Sequence, residues 1–236
     1  MRDLEGNAGV APARERGLIA PWWHTGIVLV VLAAVTLAAM RTHGTSTAGQ
    51  DRHGGLPLYG SIIFFEWALF YLAYAGTRKR IAWRELIGLR WANRAAFVRS
   101  LLITIIFWFI WEGSAWAMHR LLGASDTRNV TSMLPRTAPE IIVWILVSIS
   151  AGICEEFVYR GYLQRQFAAM TRSGAAALVL QAIVFGVSHV YQGWKQVVII
   201  SVLGALFGLL AQWRRSLVPG MTAHAWADIY SGWLNS

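Results

Sequence analysis

A short stretch with two adjacent acidic residues and an arginine follows a long apolar run. The sequence Cys154-Glu155-Glu156-Phe157-Val158-Tyr159-Arg160 continues directly from the apolar residues 141–153. Charged side chains inside a membrane cost free energy, so they usually face a polar cavity and have a function. Glu156 and Arg160 are four residues apart with the acid first, which favours an ion pair on a helix. Because Glu155 is rotated by about 100° from Glu156, we predict that Glu155 is the carboxylate left free for chemistry.

Two histidines later in the chain can act together with this carboxylate. His189 follows Phe185 by one helical turn, and Phe185 is predicted to pack against the imidazole and fix it. His224 precedes Asp228 by one turn, so the aspartate can orient the imidazole or tune its charge. A turn at residues 173–174 lies nearly midway between Glu155 and His189, which predicts that both side chains reach a similar height in the bundle.

A carboxylate and histidines in a membrane cavity fit hydrolysis of an amide by either of two routes. A glutamate and a histidine can hold a water molecule and deprotonate it, and a second histidine with its partner can stabilise an oxyanion. Alternatively, two histidines and one glutamate can form a zinc site with an open fourth position, which activates the bound water. The sequence leaves both routes open.

Three short motifs resemble those of the CPBP family, which includes the type II CAAX prenyl endopeptidases and the bacterial Abi-type intramembrane proteases. In chain order they are Glu155-Glu156-x-x-x-Arg160, Phe185-x-x-x-His189 and His224-x-x-x-Asp228. The resemblance covers residues 141–234 and implies an intramembrane endopeptidase.

The same resemblance implies a role for each residue of the motifs. Glu155 would activate the water with His189, and His224 would help to hold the oxyanion. Glu156 and Arg160 would support the site, together with the packing residue Phe185. In a metal-dependent variant of the mechanism, Glu155, His189 and His224 would bind zinc.

One residue departs from the family pattern. Family members often carry asparagine where this chain has Asp228. Because an ionised aspartate cannot donate a hydrogen bond to an oxyanion, Asp228 would instead orient His224, bind a metal or work in its protonated form. We predict Asp228 as a catalytic residue on this basis.

The composition is that of an integral membrane protein. Hydrophobic residues make up 56% of the chain and charged residues only 14%, and the mean hydropathy is +0.46. Thirteen tryptophans fit aromatic belts at the two membrane interfaces. The net charge of +9 comes from basic residues between apolar segments, so it predicts orientation in a membrane and not binding to nucleic acid. A single cysteine, Cys154, excludes an internal disulfide and is predicted to be a small buried hydrophobe.

The apolar runs predict an all-α, polytopic helical bundle with about seven transmembrane helices. Residues 1–20 are predicted to be a disordered tail, 21–138 an N-terminal transmembrane region and 139–236 the catalytic CPBP-like core. Within the second region, residues 77–94 alternate basic and apolar side chains and predict an amphipathic helix in the membrane interface. The predicted spans are 22–40, 56–74, 96–118, 140–161, 175–190, 197–213 and 217–234.

The asymmetry of lysine and arginine between the loops predicts a cytoplasmic N-terminus. We predict that the membrane is a bacterial inner membrane. The expected partners are membrane lipid and a membrane-associated protein or peptide substrate. Two other intramembrane acids, Glu66 and Glu112, can line the same cavity or pair with basic groups. A transporter or channel that uses the buried carboxylates and histidines for proton or cation coupling is one alternative function. A non-catalytic immunity protein is another.

Overall fold

The computed structural model describes residues 17–44, 55–88, 93–123 and 131–234, which form helices joined by short turns with no strand among them. The helices are α1 (Trp22–Gly44), α2 (Gly55–Thr77), α3 (Trp83–Ile87), α4 (Arg94–Leu122), α5 (Ala138–Glu155), α6 (Gln164–Thr171), α7 (Gly174–Val187), α8 (Trp194–Arg214) and α9 (Val218–Leu234). A π-helical segment, Glu156–Leu163, joins α5 to α6, and a 3₁₀ turn, Val190–Gln192, lies between α7 and α8. The predicted all-α class is confirmed.

Five segments of the described chain are long and apolar enough to cross a membrane. They are Trp22–Arg41, Gly55–Thr77, Arg94–Leu122, Ala138–Thr171 and Trp194–Arg214. Helix α7 is apolar but has only 14 residues, fewer than the roughly 20 that span a bilayer at right angles. Helix α9 has 17 residues and does not belong to this group either. The bundle is therefore polytopic, and the count of seven spans stays a prediction.

The basic segment 77–94 is less regular than the single amphipathic helix that we predicted. Helix α2 continues through Thr77, and α3 has only five residues. Gly88 ends α3 with a left-handed backbone (φ 67°), and a Cβ atom at this position would collide with the carbonyl oxygen of Arg215. The amide of Leu217 donates a hydrogen bond to the Ile87 carbonyl (2.8 Å). This segment is thus packed against the start of α9, while residues 89–92 lie outside the described part.

The end of the predicted N-terminal tail is held against the bundle. The amides of Ile19 and Ala20 both donate to Oε1 of the buried Gln166, at 3.0 and 3.1 Å, and Gln166 Nε2 donates back to the Ala20 carbonyl at 2.9 Å. Residues 1–16 of that tail lie outside the described residues.

Helix α5 is the central element of the bundle because α2 and α9 both pack against it. Its first turn is fixed by Glu140, whose carboxylate accepts hydrogen bonds from the amides of Arg136 (2.9 Å) and Thr137 (3.1 Å). Gly152 allows α9 to approach closely, since a Cβ there would meet the Met221 carbonyl oxygen at 2.6 Å. This contact brings the end of α5 to the polar face of α9.

Candidate active site

The π-helical segment carries a completely buried ion pair. Glu156 and Arg160 are each 1% exposed, and Arg160 Nη1 donates to Glu156 Oε1 at 2.8 Å. Arg160 Nη2 donates to the Gly204 carbonyl of α8 at 3.1 Å, and the guanidinium carbon lies 4.3 Å from the centre of the Phe185 ring. Buried charges need this kind of pairing, because a buried charge left alone costs several kcal/mol. The predicted pair is present and ties the π segment to α7 and α8.

The π-helical geometry has a consequence for the site. The Gln164 amide donates to the Tyr159 carbonyl, the wider hydrogen-bond spacing that defines this helix type. Such segments are rare and often occur at functional sites, because the extra residue per turn shifts the direction of the following side chains. Here all eight residues of the segment are buried.

The second partner of Glu156 is His224 from α9. His224 Nδ1 lies 3.1 Å from Glu156 Oε1, and because a carboxylate accepts, Nδ1 carries the donated hydrogen. The other ring nitrogen, Nε2, lies 3.7 Å from both Glu155 Oε2 and Asp228 Oδ2. The three carboxylates around this imidazole stabilise a positive charge on it. Glu156 therefore makes the hydrogen bond that orients His224, a role that we had expected for Asp228.

Glu155 differs from its neighbour in lacking such partners. Its side chain is 23% exposed, yet Oε2 is buried and accepts no hydrogen bond from any described residue. The nearest cationic group is His224 Nε2, at 3.7 Å. A buried oxygen without a partner is uncommon in native proteins and calls for an explanation, such as a catalytic role or a bound water. Two consecutive carboxylates thus have opposite environments.

His189 lies beside this cluster without joining it. Helix α7 ends at Val187, so His189 sits in a turn, where its Nδ1 donates to the Phe185 carbonyl at 2.8 Å. The Phe185 ring lies 5.0 Å from the His189 ring and 6.2 Å from the His224 ring, so it contacts both imidazoles. Within the described residues, no hydrogen bond or ion pair joins His189 to Glu155. We predicted that Glu155 and His189 meet because they lie at similar chain distances from the turn at residues 173–174. They are therefore near the same cluster without a direct bond between them.

Two residues that the sequence did not single out connect the π segment to the turn of His189. The Tyr159 hydroxyl donates to Ser188 Oγ at 2.9 Å, and Ser188 Oγ donates in turn to the Val184 carbonyl at 2.9 Å. The Tyr159 ring also packs edge-on against Phe185, with 4.8 Å between the ring centres. The spacing in the sequence could have indicated Tyr159, since it follows Glu155 by four residues and is next to Arg160.

Glu155 also borders a small cavity toward α2. The cavity measures about 50 Å³ and is lined by Glu66, Leu69, Cys154, Glu155, Val158 and Tyr159. Of the two further intramembrane acids that the sequence suggested, Glu66 belongs to this lining and Glu112 does not. Cys154 is 1% exposed.

The zinc site that we considered, with Glu155, His189 and His224 as ligands, stays a prediction. Within the described part of the chain, no group of three or more His, Cys, Asp or Glu side chains could hold a metal ion. Nδ1 of His189 and Nδ1 of His224 both make hydrogen bonds to protein oxygens, so Nε2 is the nitrogen of each ring that is available to a ligand. We therefore derive no step that passes through a metal.

A comparison with protein families explains the arrangement. Residues 137–230 match the family model described as Type II CAAX prenyl endopeptidase Rce1-like. This part of the chain, less than half of its length, is similar to Rce1-like domains. It contains α5 to α9 up to Tyr230, with all the motif residues, and it confirms the resemblance to the CPBP family. The family implies a CAAX-type intramembrane protease activity, and together with the apolar helices it indicates an integral membrane protein. No curated protein and no solved structure shows a significant match to the chain.

Proposed function

We propose that this protein is an intramembrane endopeptidase that hydrolyses a peptide bond in a membrane-associated protein or peptide. The observation that carries the proposal is the buried Oε2 atom of Glu155, which has no hydrogen-bond partner among the described residues and faces Nε2 of His224 at 3.7 Å. Glu156, Arg160 and His224 are instead each held by at least one hydrogen bond. A carboxylate kept free beside a positioned imidazole fits a general base.

In the proposed reaction Glu155 takes a proton from a water molecule, whose oxygen attacks the carbonyl carbon of the substrate. The carbonyl π electrons move to the oxygen and form an oxyanion, which Nε2 of His224 stabilises. The intermediate then collapses, the C–N bond breaks, and Glu155 gives its proton to the leaving amine. The carboxyl and amine products together contain the atoms of the water and the substrate. Glu156 holds His224 in place throughout, and Arg160 holds Glu156.

His189 has a supporting part in this proposal. Because Nδ1–H donates to the Phe185 carbonyl, a neutral His189 has its lone pair on Nε2. That nitrogen can accept a hydrogen bond from the N–H group of the scissile peptide bond once the substrate is bound. Asp228, at 3.7 Å from His224 Nε2, adds negative charge that favours the imidazolium form in the transition state.

The test is a cleavage assay with the full chain reconstituted in liposomes. The substrates are membrane-anchored peptides, including matched peptides with a farnesylated and an unmodified C-terminal CAAX sequence. We expect Glu155→Gln to lower kcat by about 10²- to 10⁴-fold without changing the thermal unfolding of the protein. Glu112→Gln, a matched change of an intramembrane acid outside the cavity lining, should leave kcat unchanged.

Three results would change the proposal. Full cleavage by Glu155→Gln would remove Glu155 as the base. Loss of cleavage with a chelator, restored by zinc, would show a metal-dependent mechanism. Transport of ions or solutes by the wild-type protein without any cleavage would favour the transporter alternative.

A further inference from the structure

The cavity beside Glu155 has walls from two regions of the chain. Glu66 and Leu69 come from α2, which precedes the Rce1-like domain, whereas Cys154, Glu155, Val158 and Tyr159 come from α5 and the π segment. At about 50 Å³ the cavity is large enough for a water molecule, whose share of liquid volume is about 30 Å³. Carboxyl groups from two separate helices therefore line one cavity large enough for a water molecule.

Both carboxyl groups have a buried oxygen with no hydrogen-bond partner in the part of the chain that the structure describes. Oε2 of Glu66 and Oε2 of Glu155 are each inaccessible to solvent and receive no hydrogen bond from any described residue. Ser150, one turn before Cys154 and therefore on the same face of α5, has a third buried oxygen without a well-formed hydrogen bond among the described residues, and its hydroxyl lies near the Glu66 carboxyl. Leaving such groups unpaired costs about 1–3 kcal/mol each. A water molecule that donates to two of them removes much of this cost.

We propose that Glu66 is a positioning residue of the active site, which holds the attacking water together with Glu155. The two O–H groups of the water donate to Glu66 Oε2 and Glu155 Oε2, which fixes its oxygen beside the catalytic base. Glu66 itself does not receive the proton. This inference rests on the proposed function, and it adds to the site a residue that lies outside the family match.

A purely structural role for Glu66 makes a different prediction. If the carboxyl only fills space between α2 and α5, an apolar side chain of similar size replaces it without loss, because a buried polar group without a protein partner contributes no stability. Leucine at position 66 is therefore expected to leave the unfolding temperature unchanged or to raise it. A positioning role requires that the same variant lose activity while it stays folded.

The experiment compares Glu66→Leu and Glu66→Gln with the matched controls Glu112→Leu and Glu112→Gln in the reconstituted cleavage assay. We expect Glu66→Leu to lower kcat by about 10- to 100-fold, because a misplaced reacting group has an effect of this size. KM should stay unchanged, since the substrate does not touch Glu66. Glu66→Gln keeps an acceptor oxygen at this place, so it should lose less activity than Glu66→Leu. The Glu112 variants should match the wild type.

Two results would overturn the inference. One is an unchanged kcat in both Glu66 variants. The other is a loss of kcat that parallels a loss of thermal stability, with no advantage of glutamine over leucine. Wild type and Glu155→Gln are measured in the same series, so a failure of the proposed function is recognised separately. If the wild type does not cleave, the proposed function fails; if it cleaves and only the Glu66 variants are unaffected, this inference alone fails.

Discussion

The two carboxylates at the centre of this protein are adjacent in sequence and have opposite surroundings. On one side, Glu156 is 1% exposed and its Oε1 accepts from both Arg160 (2.8 Å) and His224 (3.1 Å). On the other side, Glu155 is 23% exposed, and among the described residues its buried Oε2 meets only the His224 imidazole and a small cavity. The rotation of the helix by one residue therefore separates a carboxylate with two hydrogen bonds from one whose buried oxygen accepts none from the described residues.

This difference gives the two carboxylates different roles: Glu156 stabilises the bundle, and Glu155 is available for chemistry. A buried carboxylate with two charge-assisted hydrogen bonds is fixed in position and has little freedom to exchange protons. A carboxylate with an unpaired oxygen can accept a proton without breaking an existing bond. The bonded side also orients the reactive side, because Glu156 fixes the His224 ring that faces Glu155. We therefore expect substitutions on the two sides to separate stability from activity.

The largest expected effect is on the bonded side. Glu156→Leu leaves the Arg160 guanidinium buried without its counter-charge, so it should lower the free energy of unfolding by about 3–5 kcal/mol. Glu155→Leu breaks no hydrogen bond among the described residues and should change this free energy far less. Reversible unfolding in detergent micelles measures both. Equal destabilisation by the two variants would contradict the comparison.

A double variant sharpens this result. Glu156→Leu combined with Arg160→Leu removes the whole ion pair and leaves no uncompensated charge, so the double variant should be more stable than Glu156→Leu alone. Because His224 also loses its orienting partner, the double variant should still lose activity. Stability and activity would then vary independently in a single protein.

The next effect concerns the group that connects the two sides. His224→Gln removes the imidazole that faces Glu155 and should lower kcat by about 10²- to 10³-fold, the usual cost of losing one oxyanion donor. His119→Gln, a matched change near the end of α4, should leave kcat unchanged. The assay is the reconstituted peptide cleavage described above. Normal turnover by His224→Gln would place the oxyanion elsewhere.

Local features of the site could be predicted from the sequence. The Glu156–Arg160 pair follows from a spacing of four residues, and it is present in the structure. The free state of Glu155 follows from its rotation relative to the pair. The helical class follows from composition, since apolar runs of this length have few other stable forms in a membrane.

Contacts between distant helices could not be predicted in the same way. The hydrogen bond from His224 to Glu156 joins residues 68 positions apart and depends on how α9 packs against α5. The π-helical segment shifts side chains after Glu155, and helical periodicity alone does not signal it. The place of His189 depends on where α7 ends, and that end differs from the predicted span by three residues. Glu66 reaches the site only through the packing of α2 on α5.

A smaller effect concerns the packing that brings the two helices together. Gly152→Ala introduces a Cβ that would lie 2.6 Å from the Met221 carbonyl oxygen, so α9 must move away from α5. We expect a loss of about 1–3 kcal/mol in the free energy of unfolding, with a lower kcat because Glu155 and His224 separate. Gly26→Ala in α1 meets no atom within 4 Å and should be neutral or slightly stabilising. Similar behaviour of both variants would show that this contact is not tight.

The smallest effect is expected at Asp228, although the family pattern makes it a prominent residue. Its carboxylate is 36% exposed and lies 3.7 Å from His224 Nε2, beyond hydrogen-bond distance, while Glu156 holds the opposite ring nitrogen at 3.1 Å. A partly exposed ion pair of this kind contributes about 0.2–1 kcal/mol. Asp228→Asn keeps the shape of the side chain and adds an N–H group that can donate to an oxyanion. We therefore expect kcat to change by less than about fivefold in either direction.

The opposite result at this position would be equally informative. If Asp228 and not Glu156 determined the orientation of His224, Asp228→Asn would remove the acceptor that fixes the ring, and kcat would fall by about 10²-fold or more. Asp228→Ala separates the two cases further, because it removes both the charge and the new donor. Under our interpretation Asp228→Ala should be less active than Asp228→Asn, since only asparagine can donate to the oxyanion. Equal activity of the two variants would mean that the amide makes no contact with the reacting oxygen, and that Asp228 affects the site only through its charge.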